Sequence, residues 1–144
     1  MNIKTVKGRL QVISAFKKGK RFTLPEAMVS VRPRFFAQEY DAPKNSENSL
    51  FIVCSVRKKI APHAVIRNRL KRLVKESVRQ YIRTHAEKKN ISILLTLAFN
   101  WNIAPKRPHD IALQDIYPIV QQLLDNACEY FARNEKQKTK GKQE

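Results

Sequence analysis

The sequence predicts a single α+β domain whose elements run helix, strand, strand, helix, strand, helix. Apolar residues recur at spacings of three and four from Pro62 to about Glu87 and again after Asp110, as in helices that bury one stripe. Short β-rich runs cover 27–36, 49–56 and 91–99. A chain of 144 residues with 42% hydrophobic content supports one core. Residues 1–132 are expected to form that domain and residues 133–144 a disordered basic tail, because RNEKQKTKGKQE carries no apolar side chain.

In chain order, the segment 5–18 repeats apolar groups at Leu10, Ile13 and Phe16, or alternatively at Val12 and Phe16. It reads as a short helix ending at Gly19, a residue suited to a left-handed cap. Lys17, Lys18, Lys20 and Arg21 crowd its carboxyl end, where cations favour the helix dipole. AMVSVRPRFF (27–36) reads as a strand whose later part is confined by Pro33 to an edge or a bulge. A polar, turn-rich loop (38–49) leads to SLFIVCSV (49–56), and the two strands make a plausible antiparallel hairpin. Pro62 fits the first turn of the long helix, and ISILLTLAF (91–99) suits a strand buried on both faces. A proline-flanked loop holding Trp101, expected to cap the sheet edge, precedes the last helix. Asp110 is placed to cap that helix, and Pro118 to start or kink it.

The long helix carries most of the functional information. Ile66, Leu70, Leu73, Val74, Ser77 and Tyr81 fall on one side; Asn68, Lys71, Arg72, Lys75 and Arg79 fall on the other. From Arg57 to Arg83 there are ten cations and one acid, Glu76, so the alternating signs of an ordinary solvated helix are missing. Like charges one turn apart repel, and a bound polyanion relieves that cost. With a formal net charge of +17 and a pI near 10.3, the expected partner is nucleic acid.

Other classes fit poorly. Cys54 and Cys128 lack zinc-site spacing and read as buried thiols in a reducing cytosol. His63, His85 and His109 are scattered, so no metal site is expected, and each reads as a surface or cap histidine. Neither a carboxylate cluster nor a nucleophile–base arrangement points to catalysis by the polypeptide. The amino terminus lacks the apolar centre of a signal peptide, and no stretch is long enough for a membrane span, so a cytoplasmic protein is expected. A DNA regulator is disfavoured by the lack of a helix-turn-helix pair and of a heptad pattern after the basic helix.

Ser55-Val56-Arg57-Lys58-Lys59, followed after a short turn by Ala64-Val65-Ile66-Arg67-Asn68-Arg69-Leu70-Lys71-Arg72, resembles the signature of the protein components of bacterial ribonuclease P. Phe16-Lys17-Lys18-Gly19 near the end of the first helix is similar to that family too. The resemblance implies a small α/β sandwich like domain 2 of ribosomal protein S5, with the signature helix in a left-handed βαβ crossover. General statistics favour the opposite hand. It also implies a subunit of an endoribonuclease that matures the 5′ end of tRNA, with the catalytic centre and its Mg2+ on the partner RNA and no cofactor on the protein. The implied partners are ribonuclease P RNA and precursor tRNA, with the protein a monomer in a one-to-one ribonucleoprotein.

On this resemblance Arg67, Asn68, Arg69, Lys71, Arg72 and Lys75 bind RNA, and Lys58 and Lys59 extend the positive field. Asn68 has a second reading, as a residue that fixes the helix face. Phe16, with Phe22 or Tyr81, would stack on leader bases in a groove between the first helix and the sheet; as sequence alone, Phe16 reads more readily as a core aromatic. Val12 stands where a second aromatic is usual, the turn Ile60-Ala61-Pro62-His63 is one residue longer than the common one, and Ala98-Phe99 stand where basic residues are frequent. The alternative is a structural RNA-binding protein of the ribosome, or an assembly factor, with the same charge but no leader groove.

Overall fold

Strand β5 (Leu94–Trp101) lies at the centre of a five-stranded sheet, and its composition explains the position: all its residues but Asn100 are buried, on both faces. The computed structural model describes residues 2–6, 8–33, 49–85, 94–104, 107 and 110–142. On one side β5 pairs parallel with β4 (Ser49–Val56), and on the other antiparallel with β3 (Ala27–Pro33). Short outer strands complete the order β1-β4-β5-β3-β2: β1 (Asn2–Thr5) parallel to β4, and β2 (Lys20–Thr23) antiparallel to β3. Helix α2 (Ala64–Thr84) links the parallel neighbours β4 and β5, which is the βαβ unit expected from the resemblance.

Side-chain alternation divides the sheet into two faces. Val29, Val31, Leu50, Ile52, Leu97 and Phe99 point to the face covered by α2 and α3 (Leu113–Lys142), where they join Leu70, Val74, Leu123 and Phe131 in one core. Each such side chain contributes about 1.5–3 kcal/mol on burial. Ser30 and Ala98 point the other way, toward α1 (Arg9–Lys18); the Ser30 hydroxyl donates to the Phe16 carbonyl at 3.2 Å. Of the two apolar faces that the sequence offers for α1, the sheet takes the one with Val12 and Phe16, both half-buried, together with buried Ala15. Leu10 and Ile13 point outward, 83% and 39% exposed.

Several elements differ from the sequence expectation. The hairpin of 27–36 with 49–56 does not form, because β5 lies between β3 and β4; the antiparallel hairpin is β2–β3, closed by the Leu24 amide on the Ala27 carbonyl at 2.8 Å. Strands β1 and β2 are additional, each four residues long with too few alternations to register as a pattern. Pro33 sits at a register shift and beyond the last pair of β2 with β3, so its missing N–H costs no ladder bond on that edge. The loop 38–48 and residues 34–36, 86–87, 91–93 and His109 lie outside the described residues.

Trp101 is the last residue of β5 and 2% exposed, inside the core rather than capping an edge from a loop. The carboxylate that caps the start of α3 is Asp115, which accepts the Ala112 amide at 3.0 Å, and not Asp110. Pro118 lies within α3 without ending it. The backbone of α3 continues past Phe131 to Lys142. Glu135, Lys136, Gln137 and Lys138 are good helix formers, so propensity extends the helix after the apolar pattern stops.

Gly19 is not left-handed; its φ of −87° and ψ of 161° are extended. The position requires glycine because a Cβ there would stand 2.2 Å from Ser30 Oγ and 3.0 Å from the backbone of Ser30 and Val31. Gly19→Ala should therefore lower the unfolding midpoint by the equivalent of about 1–3 kcal/mol, as overpacking does. Adding Ser30→Ala should recover part of that loss in chemical denaturation, since the nearest clash is with the hydroxyl. Strict additivity of the two changes would contradict the contact.

A basic helix face held by two arginine braces

The chain leaves β4 at Val56 and turns over Arg57–Ile60, whose first carbonyl accepts the amides of Ile60 at 3.0 Å and Ala61 at 3.1 Å. Lys58 and Lys59 project from this turn, both exposed. The Arg67 guanidinium reaches back from the first turn of α2 and donates to the carbonyls of Ala61 at 2.9 Å and Pro62 at 2.8 Å. One charged side chain thus fastens the turn to the helix, whose N-cap residue His63 makes no side-chain cap hydrogen bond.

Arg69 is the second brace. Its Nε and Nη2 both donate to the Ile111 carbonyl, at 3.1 Å and 2.7 Å, tying α2 to the segment that opens α3. Lower on the same interface Tyr81, 2% exposed, donates its hydroxyl to Asp125 at 2.6 Å. Burial first, then this hydrogen bond, drive the Tyr81 phenol far above its ordinary range. The His85 ring stacks on Tyr81 with centroids 4.1 Å apart, and its Nδ1 lies 3.0 Å from the Tyr81 carbonyl.

With Ile66, Leu70, Val74, Ser77, Val78 and Tyr81 buried, the remaining positions form an outer ridge. Asn68, Lys71 and Arg72 are exposed; Lys75 is half-buried and donates to the Thr5 hydroxyl at 3.3 Å, and Arg79 pairs with Glu76. Lys71 flanks β4 closely enough to counter slightly the dominant effect of burial on Cys54, whose thiol is pushed up to about 12. The structure therefore brings together the eight residues expected to bind RNA, while giving Arg67 and Arg69 a structural duty that helical periodicity does not reveal. All three acceptor carbonyls, of Ala61, Pro62 and Ile111, lie outside the helix.

The three aromatic candidates are not brought together. Phe16 lies on the α1 face of the sheet, where its carbonyl accepts from Ser30 of β3, and β4 presents half-buried Val53 and exposed Ser55 on that same face. Phe22 stands opposite Val29 and so points to the α3 face, packed edge-on against Tyr130 and Phe131 with centroids 5.6 Å and 6.0 Å away. Tyr81 is enclosed between α2 and α3 and is withdrawn as a stacking residue, because its ring and hydroxyl are already used inside the protein. Among the described residues no group of three or more His, Cys, Asp or Glu side chains could hold a metal ion, and no helix is long and apolar enough to cross a membrane.

A mixed sheet with an outward-facing cationic helix on one side is the arrangement of a small α/β protein suited to a polyanion such as RNA. The sequence profile described as Ribonuclease P matches residues 5–102, and the chain belongs to the ribonuclease P protein family. It is accordingly a protein subunit of the endoribonuclease ribonuclease P, with a place in tRNA processing. No curated protein matches the chain. The fold is similar to that of the RNase P protein from Staphylococcus aureus, at 16% identity and a TM-score of 0.51 over 86% of this chain and 88% of that one. It is similar also to an S. aureus RNase P protein mutant with defective mRNA degradation activity, at 20% identity and a TM-score of 0.50 over 85% and 86%.

The two classes of cation should separate experimentally. Arg72→Ala should weaken RNA binding and flatten its log-log salt dependence by about 0.7–0.9, one phosphate's worth, with no change in unfolding midpoint. Arg69→Ala should lower stability by about 1–2 kcal/mol in urea titrations before any effect on RNA is counted. Equal stability losses for both would mean that the braces are not what the geometry indicates. With its pKa near 12, Cys54 should react with a disulfide reagent at pH 8 far more slowly than a free thiol; a rate matching glutathione would contradict its burial.

Proposed function

We propose that the α2 ridge, with Asn68, Lys71, Arg72 and Lys75 and the neighbouring Lys58 and Lys59, grips the phosphate backbone of ribonuclease P RNA. We propose further that the surface between α1 and the open strip of β4 receives the single-stranded 5′ leader of precursor tRNA. The observation that carries the reading is the ridge: exposed cations with one acid among them, carried by a helix whose other side is anchored in the core. Arginine forks suit bidentate phosphate contacts, and lysines act as mobile point charges.

In this reading the polypeptide performs no chemistry. Magnesium ions held on the RNA supply the charge stabilisation for phosphodiester cleavage, and the protein lowers the repulsion between ribozyme and substrate. Phe16 offers a stacking platform to an unpaired leader base without sequence preference. Arg67 and Arg69 act mainly by holding the ridge in place. The working unit is one protein with one RNA, in the cytoplasm.

Reconstitution with a bacterial ribonuclease P RNA tests this. Adding the protein should restore precursor-tRNA cleavage at physiological magnesium, and binding should favour precursor over mature tRNA. Cleavage that is unchanged by the protein would reject the assignment, and equal affinity for precursor and mature tRNA would reject the leader site alone.

A further inference from the structure

The edge of the sheet opposite β1 carries an unassigned surface. Between β2 and α3 lies an open groove of about 430 Å³, lined by Arg21, Phe22, Thr23, Asn126, Glu129, Tyr130 and Arg133. Tyr130 is 37% exposed, and its ring is held edge-on by Phe22 and Phe131, so it forms a fixed aromatic surface. Lys20 Nζ lies 5.2 Å from the centroid of that ring. Arg21 and Arg133 are exposed at the sides, and Glu129, 2.8 Å from Arg133, is the one acid among the described lining residues. A supported aromatic ringed by exposed cations is the arrangement that grips single-stranded nucleic acid: a base stacks while phosphates meet the charges.

This groove is separate from both surfaces discussed above. Phe22 points to the α3 face whereas Phe16 lies on the α1 face, and Lys75 of α2 reaches β1 at the far edge of the sheet. Four strand spacings put β1 and β2 roughly 19 Å apart. Phosphates on the α2 ridge therefore cannot also be those at Tyr130.

We propose that the β2–α3 groove is a second site for single-stranded RNA, with one base stacked on Tyr130 and flanking phosphates held by Lys20, Arg21 and Arg133. Lys20 leaves the ring when the base arrives and turns to the phosphate. Glu129 opposes binding directly and by occupying Arg133, because an exposed ion pair of this kind is weak enough for a phosphate to replace. The proposal rests on the chain's role as an RNA-binding subunit and adds a contact that this role does not require.

The test uses the full chain and an oligouridine carrying 5-iodouridine, read by ultraviolet crosslinking with peptide mapping and by fluorescence anisotropy. Crosslinks should fall on the peptides holding Phe22 or Tyr130. Glu129→Gln should tighten binding, and Arg21→Gln and Arg133→Gln should weaken it, each by about threefold or more, as for one phosphate contact or exposed charge. Tyr130→Leu, which keeps an apolar side chain against Phe22 and Phe131, should weaken it at least about fivefold, the lower bound for one stacked base. Crosslinks confined to α1 and α2, with affinity indifferent to Glu129→Gln, would overturn the site and leave the subunit role standing. A chain that bound neither the oligomer nor ribonuclease P RNA would overturn both.

Discussion

Burial of one helix stripe decides everything the other side of that helix can do. Ile66, Leu70, Val74, Val78 and Tyr81 are at most 7% exposed. At about 1.5–3 kcal/mol each they contribute several times what repulsion among the outer cations removes, since like charges one turn apart cost only about 0.2–0.5 kcal/mol per pair. Hydrophobic packing therefore wins the competition that the crowded charges would otherwise lose. The cations are held as a fixed array instead of dispersing, and the conflict is left for a polyanion to resolve.

The array is kept in place by two of its own members. Arg67 closes the turn that presents Lys58 and Lys59, and Arg69 ties the helix to Ile111. A charged side chain suits this duty because one guanidinium carries several N–H donors and can bridge backbone carbonyls that lie outside its own helix. It also keeps its charge near the ridge, so the brace adds to the field it supports. A single signature of alternating arginines thus encodes both positioning and attraction, and loss of RNA binding by itself does not distinguish them.

The parts of this fold legible in the sequence are those in which a long pattern meets a large buried area. The α2 stripe, the two-sided burial of β5 and the helical repeat of α3 followed directly from residue spacing. Pairing was less legible, because 27–33 and 49–56 look like a local hairpin and nothing in their composition says that β5 will come between them. Four-residue strands such as β1 and β2 gain their place only from neighbours distant in the chain. Within the site, charge and exposure were legible, but the bracing roles of Arg67 and Arg69 depend on carbonyls of other segments. The withdrawal of Tyr81 depends on Asp125, forty-four residues away. Gly19 shows the same limit, since its glycine requirement comes from the closeness of Ser30 across the fold and not from its own backbone angles.

The same charges couple stability and binding with opposite responses to salt. In the free chain, a net +17 makes the compact state repel itself, so added salt screens the repulsion and favours folding. In the complex, RNA neutralises those charges and releases counterions, so added salt weakens association. With RNA on the folded ridge, as proposed, binding free energy is also folding free energy: ligand at a hundred times its dissociation constant adds about 2.7 kcal/mol to stability. A fold whose cations are concentrated outward by its own core is therefore least at ease alone in dilute salt, and most stable when the polyanion it attracts is present.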